Sequence, residues 1–122
     1  MSPLAKTRGR ILIVEDELLV AMIAEEFLIE RGWEIAATVG WLDEALALAG
    51  SIAIDAALID VNLNGRASFP IAEVLEERGV AMVFATGYGA AGVPERWRGR
   101  PILQKPFQGD QLQRALDLAA NV

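Results

Sequence analysis

Fully apolar runs alternate along the chain with segments of helical spacing. Residues 11–14 are apolar at every position and rich in β-branched side chains, which predicts a strand covered on both faces. Further strands are expected at residues 34–39, 56–59, 80–85 and 101–104. We therefore expect five short strands separated by helices.

The segments between the predicted strands place apolar residues at helical spacing. The first helix begins near residue 17 and ends near Gly32. Its expected buried face consists of Leu19, Met22, Ile23 and Phe27. Later helices are expected over residues 42–49, from Pro70 to Gly79, and from Asp110, which is suited to cap the last one.

The segment after Thr86 differs from the others. Residues 87–94 are a poor helix sequence because Gly and Pro raise the cost of ordering, so we expect a short or mobile connection. Strands alternating with about five helices predict an α/β fold, in which right-handed crossovers cover both faces of a parallel sheet. At 122 residues, we expect one domain over residues 10–122 after an N-terminal tail, residues 1–9.

Polar residues follow the predicted strands directly. In open parallel sheets, ligands bind beyond the carboxyl ends of the strands, so these residues are the candidates for a site. They are Glu15, Asp16, Asp60, Thr86 and Lys105. Carboxylates gathered at one edge repel one another unless a cation is present, and Mg²⁺ prefers such oxygen ligands.

The same residues suit phosphoryl transfer. Asp60 is a candidate nucleophile, whose attack on a phosphoryl donor gives an aspartyl phosphate. Lys105 is a positive partner for the phosphoryl oxygens, and the Thr86 hydroxyl is a hydrogen-bond donor to them. Phosphoryl transfer requires little beyond such positioning and charge compensation.

Four short motifs carry a family resemblance. They are Glu15-Asp16-Glu17, Asp60-Val61-Asn62, Ala85-Thr86-Gly87 and Lys105-Pro106-Phe107. In this order and on these elements, the chain resembles a bacterial response-regulator receiver domain over roughly residues 10–120. The resemblance implies a flavodoxin-like doubly wound sheet of five parallel strands in the order 2-1-3-4-5.

The resemblance also implies a role for each motif residue. Glu15 and Asp16 serve a Mg²⁺ ion together with Asp60, which accepts the phosphoryl group, and with the backbone carbonyl of Asn62. The Asn62 side chain is implied to influence how fast the phosphoryl group is hydrolysed. Thr86 is implied to report phosphorylation and Lys105 to contact the phosphoryl group, with a cis bond between Lys105 and Pro106.

More narrowly, residues 84–88 and 60–65 resemble the receiver subgroup called FAT GUY, whose members are often single domains. Ile102 departs from the receiver pattern, because an aromatic residue that rotates inward on activation is usual there. We hypothesise that phosphorylation instead orders the Gly-rich segment after Thr86. Without an output domain, the signal is expected to leave through protein contacts or phosphotransfer.

Composition narrows the function further. The chain has no Cys and no His, which removes disulfides, thiolate chemistry and the commonest general base. The resemblance therefore implies a phosphohistidine on a separate sensor histidine kinase as donor.

A net charge of −6 argues against nucleic-acid binding, and the one basic cluster, Arg96, Arg98 and Arg100, is interpreted as a solvated loop. No apolar run has the length of a membrane span or a secretory signal, so we expect a cytoplasmic protein without membrane contacts.

Other interpretations stay open at this point. Asp16 is also suited to cap the first helix, and Asp60 to start a turn with Asn62 and Asn64. We interpret the tryptophans, Trp33, Trp41 and Trp97, as partly buried packing residues.

Two rival functions are a phosphatase-like hydrolase with an aspartyl nucleophile and an unphosphorylated binding module. The hydrolase would need a second acid two residues after the nucleophile, where Asn62 stands. A nucleotide-binding domain is set aside, because the first strand lacks a following Gly-rich loop. We expect no enzymatic activity beyond the chain's own phosphorylation and dephosphorylation.

Overall fold

A five-stranded parallel sheet forms the centre of the computed structural model, which describes residues 8–120. The strands are β1 (Gly9–Val14), β2 (Trp33–Val39), β3 (Ala56–Asp60), β4 (Asn62–Leu63), β5 (Arg66–Ala67), β6 (Ala81–Thr86) and β7 (Ile102–Gln104). The sheet order is β2-β1-β3-β6-β7, while β4 and β5 form a separate antiparallel hairpin. When only the strands of the five-stranded sheet are numbered, this order is 2-1-3-4-5, so the predicted order is confirmed. Most of the predicted N-terminal tail, residues 1–7, lies outside the described residues.

Four α-helices lie within residues 8–120, rather than the expected number of about five. They are α1 (Leu18–Glu30), α2 (Leu42–Ala49), α3 (Phe69–Glu77) and α4 (Gly109–Ala119). Between β6 and β7 the chain makes only two 3₁₀ turns, at Gly89–Gly92 and Glu95–Trp97, which agrees with the poor helix sequence there. None of the helices in this part of the chain has the length and apolar character to cross a bilayer.

The two faces of the sheet bury two separate cores. Alternate residues of a strand point to opposite faces, so Leu12 and Val14 join the core under α2 and α3. Ile11 and Ile13 join the core under α1 and α4. All four side chains are completely buried, as predicted for a strand covered on both faces.

The predicted buried face of α1 is wrong. Leu19, Met22 and Ile23 are 73%, 49% and 63% exposed, and Phe27 is only partly buried. The helix instead buries Ala21, Ala24 and Leu28. Because α1 is apolar on most sides, spacing alone does not select a face, and small alanines permit the closest approach to the sheet. The helix therefore presents an exposed apolar surface.

The connection between β6 and β7 is attached to the rest of the fold at its second 3₁₀ turn. Trp97 is 3% exposed and packs edge-on against Phe84 at 6.0 Å between ring centroids. Arg96 pairs with Glu73 and Glu76 of α3, and Arg100 pairs with Glu76 at 3.2 Å. Two of the three arginines are therefore paired with α3, whereas Arg98 donates to the Val93 carbonyl at 2.7 Å, so the interpretation of the cluster as a solvated loop is corrected for Arg96 and Arg100.

Two smaller predictions are also wrong. Asp110 lies inside the first turn of α4, and Gln108 holds the N-cap position, where its backbone N–H donates to Gln111 Oε1 at 2.8 Å. Trp41 is 61% exposed, because it stands at the start of α2 outside both cores. Trp33 is partly buried and donates to Gln113 at 3.1 Å, as expected for a packing residue.

Candidate functional site

The predicted site residues meet at the carboxyl edge of the sheet. Glu15 and Asp16 directly follow β1, and Asp60 ends β3. Thr86 ends β6, and Lys105 follows β7. Because parallel strands end at the same edge, residues far apart in sequence are brought into one region, as predicted.

Lys105 is the centre of this region. Its Nζ lies 2.8 Å from Glu15 Oε1, 2.9 Å from Glu17 Oε1 and 3.0 Å from Asp60 Oδ2. The Lys105 side chain is only 13% exposed, and its backbone N–H donates to the Thr86 carbonyl at 2.8 Å. The bond from Lys105 to Pro106 is cis, as the resemblance implied. One largely buried ammonium group therefore faces three carboxylates.

The acidic cluster contains Glu15, Asp16, Glu17 and Asp60, each with a carboxylate oxygen within 4.8 Å of the others. Glu17 was not predicted to contribute, although it belongs to the motif Glu15-Asp16-Glu17. Its side chain is 63% exposed, and its backbone N–H donates to Glu15 Oε2 at 3.0 Å. Neither strand periodicity nor strand ends singled it out, because it stands three residues beyond the end of β1.

The cluster perturbs the acidity of its members. Burial raises the pKa of Glu15 to about 7, helped by the neighbouring Asp60 and opposed by Lys105. Desolvation would raise the pKa of Asp16, but the hydrogen bond from the Asn64 backbone N–H and other contacts outweigh it and lower that pKa. Desolvation likewise works against a charged Lys105, yet its carboxylate partners prevail and raise its pKa well above the usual range.

The segment after β3 holds two of the carboxylates. The Asn62 N–H donates to Asp60 Oδ1 at 3.1 Å, and the Gly65 N–H donates to Asn62 Oδ1 at 2.8 Å. The Asn64 N–H donates to Asp16 Oδ2 at 2.9 Å. Asp16 does not cap α1, whose N-cap position belongs to Glu17. The turn interpretation of Asp60 is thus compatible with its place in the cluster.

Thr86 lies beside the cluster and is 3% exposed. Its Oγ1 accepts a hydrogen bond from the Tyr88 N–H at 3.1 Å. Thr86 and Asp60 both line a pocket of about 290 Å³ together with Tyr88. The Tyr88 side chain is 81% exposed and free of the core.

The donor set fits a hard divalent cation. The four clustered carboxylates offer only oxygen, the donor type that Mg²⁺ prefers, and the single Lys105 ammonium compensates only part of their negative charge. Asp16, Asp60, Asn62 and Lys105 are among the residues that line an open pocket of about 320 Å³. The pocket is therefore wide enough for an ion together with a phosphoryl group.

Comparisons with known proteins agree with this fold. No family model matches the chain. The transcriptional regulatory protein PdtaR of Mycobacterium tuberculosis is 34% identical over 116 residues, which are 92% of this chain. The chain spans 57% of the length of this curated relative.

Three solved structures match this chain over at least 90% of their own length. The solution structure of SdrG from Sphingomonas melonis Fr1 is 46% identical, covers 100% of both chains and superposes with a TM-score of 0.83. A BeF₃-activated conformation of SdrG is 45% identical over 91% of this chain and 95% of that chain, with a TM-score of 0.77. The PhyR response regulator REC domain of Erythrobacter litoralis is 25% identical over 93% and 90% of the two chains, with a TM-score of 0.81. The sheet order, the residues at its carboxyl edge and these relatives agree, and the chain belongs to the response-regulator receiver domains.

Proposed function

We propose that the chain accepts a phosphoryl group on Asp60 in a Mg²⁺-dependent reaction, with a sensor histidine kinase as donor. The observation that carries this proposal is the position of Asp60 Oδ2, 3.0 Å from Lys105 Nζ within the acidic cluster. The SdrG structure described as BeF₃-activated supports it, because that relative adopts an activated conformation with this fold.

In the proposed reaction, a carboxylate oxygen of Asp60 forms a bond to phosphorus while the bond from phosphorus to the imidazole nitrogen of the donor breaks. The negative charge of the transferred group is offset by Lys105, which already lies within hydrogen-bond distance of Asp60. Thr86 supplies a hydroxyl at the pocket that it lines together with Asp60. The donor imidazole leaves with its bonding electrons and takes up a proton from solvent.

Glu15, Asp16, Asp60 and the Asn62 carbonyl would hold Mg²⁺, which neutralises negative charge on the carboxylates and the phosphoryl oxygens. Asp16 is suited to this role because its lowered pKa keeps it ionised. Glu15 is less well suited to it, since burial raises the pKa of Glu15 and favours its protonated form in the metal-free protein.

The hydrolase alternative is disfavoured by the residue two positions after Asp60. Asn62 is not an acid, and its side-chain oxygen accepts a hydrogen bond from the Gly65 N–H. We also propose that the chain has no enzymatic activity beyond its own phosphorylation and dephosphorylation. Membership of the FAT GUY subgroup stays a prediction.

The test is incubation of the protein with acetyl phosphate and Mg²⁺, followed by intact mass measurement. Wild type should gain one phosphoryl group, whereas Asp60→Asn should gain none and EDTA should abolish the gain. Asp43→Asn, at an exposed carboxylate of α2, serves as the matched control and should be phosphorylated like wild type. An adduct that persists in Asp60→Asn rules out the assigned acceptor.

We propose that the donor protein docks against the exposed apolar surface of α1. Glu17 and Lys105 line the site and also an adjoining pocket of about 300 Å³ that includes Ile23 and Phe107. A protein that delivers a phosphohistidine to Asp60 thus meets apolar surface next to the site, and Leu19 extends that surface. In the cells of origin, Leu19→Ser should lower the phosphorylated fraction on a phosphate-affinity gel. Its rate with acetyl phosphate should stay unchanged, and equal losses in both assays would contradict the docking role.

We further propose that phosphorylation orders the first part of the connection after β6. Gly87 and Tyr88 are exposed, whereas Trp97 is fixed in the core. The change is therefore expected within residues 87–92, where the Thr86 hydroxyl would donate to the phosphoryl group while its Oγ1 keeps accepting from the Tyr88 N–H. Hydrogen exchange measured with and without phosphorylation should slow at residues 87–92, and identical exchange would refute this switch.

A further inference from the structure

The tip of the β4–β5 hairpin has an unusual backbone. Asn64 has a φ of 52° and Gly65 a φ of 84°, so two successive residues adopt the left-handed region. An Asn-Gly pair is well suited to such a hairpin turn, since glycine has no steric penalty there and asparagine a small one. The turn points the Asn64 backbone N–H toward a residue 48 positions earlier in the chain.

Asn64 makes two long-range hydrogen bonds from this turn. Its N–H donates to Asp16 Oδ2 at 2.9 Å, and its Nδ2 donates to the Gly40 carbonyl at 3.0 Å. Gly40 in turn lies against the backbone of Asp16, because a Cβ added at Gly40 would stand 3.2 Å from Asp16 Cα. Asp16 is therefore held between the hairpin tip and the loop after β2.

We propose that Asn64 is a positioning residue for the metal ligand Asp16. Its N–H engages one carboxylate oxygen, which fixes the rotation of the carboxylate and leaves the other oxygen for a cation. Its side chain ties the hairpin to Gly40, so the N–H stays in place. This inference rests on the proposed function, because it assigns Mg²⁺ to the acidic cluster.

A residue that orients a metal ligand typically changes metal affinity about tenfold or more when it is lost. Asn64→Ala removes the bond to Gly40 and disfavours the left-handed backbone, so it should weaken Mg²⁺ binding about tenfold. Asn64→Gly removes the same side chain but retains the backbone, and it should recover most of the affinity. Arg66→Ala is the matched control in the same hairpin, since the Arg66 side chain pairs with Asp43 at 3.7 Å and both side chains are exposed.

The experiment measures Mg²⁺ affinity by calorimetry for wild type and the three variants. Hydrogen exchange of the Asn64 amide is measured in EDTA on wild type. Weak binding by Asn64→Ala, near-normal binding by Asn64→Gly and Arg66→Ala, and a protected amide support the proposal. Equal affinity of wild type and Asn64→Ala overturns it, and so does an unprotected Asn64 amide, even where Asn64→Ala fails to fold. A wild type that binds no Mg²⁺ overturns the proposed function and this inference together.

Discussion

Glu15→Gln should stabilise the metal-free protein at alkaline pH, because the fold buries Glu15 and makes its ionised form unfavourable. Glu15 is 6% exposed, and burial raises its pKa from 4.5 to about 7. Glutamine has nearly the same shape and stands in for the protonated side chain. The substitution therefore removes the cost of ionising Glu15 in the folded state.

The magnitude follows from the pKa. One pKa unit corresponds to about 1.4 kcal/mol, so a rise from 4.5 to about 7 corresponds to roughly 3 kcal/mol at most. Because the folded-state pKa is the higher one, the contribution of Glu15 to stability is complete below pH 4.5 and is lost as the pH rises through 7. Glu15→Gln should thus match wild type near pH 4.5 and exceed it by about 2–3 kcal/mol at pH 8.5.

The assay is urea unfolding in EDTA across this pH range, with Glu26→Gln on the exposed side of α1 as the control. Saturating Mg²⁺ should reverse the order, since wild type keeps a ligand that the variant lacks. A difference that is absent at pH 8.5, or that does not change with pH, would refute the reasoning about Glu15.

Further substitutions test other parts of the structure. Lys105→Met should destabilise the metal-free protein by about 3 kcal/mol in urea unfolding, because three carboxylates lose the ammonium that they contact; an unchanged midpoint would contradict this. Ser68→Ala should leave stability unchanged or raise it by up to about 1 kcal/mol, because the Ser68 hydroxyl is buried without a hydrogen-bond partner among residues 8–120. A loss above that amount would reveal a partner. Trp97→Ala should cost about 3–5 kcal/mol, because it empties the core space beside Phe84, and a thermal melt within a few degrees of wild type would argue against that anchor.

The sheet and most of the site were predictable because strand ends carry strong signals. The apolar runs before Glu15 and Asp60 leave a carboxylate at each strand end, and parallel pairing then brings these ends together. The buried face of α1 was not predictable from spacing, since Leu19 and Ile23 are as apolar as the residues that are buried. Burial there depends on how closely the helix approaches the sheet, which small residues such as Ala24 decide.

The role of Asn64 also lay beyond sequence reasoning. Its residue type predicted a turn, but the partners of that turn, Asp16 and Gly40, follow other strands of the chain. Glu17 was missed for a related reason, since its place in the cluster depends on Lys105, 88 positions later. Contacts of this kind arise from the three-dimensional path of the loops.

The ammonium that offsets part of the charge of the acidic cluster follows the shortest strand of the five-stranded sheet. Lys105 follows β7, a three-residue strand at the edge of the sheet, which pairs with β6 alone among the strands of residues 8–120. Transient detachment of β7 and α4 would carry the ammonium away and leave the carboxylates at β1 and β3 to repel one another. Opening of the C-terminal part of the chain is thereby coupled to the ionic state of the site, and an ion bound among the carboxylates would relieve the repulsion that such opening exposes.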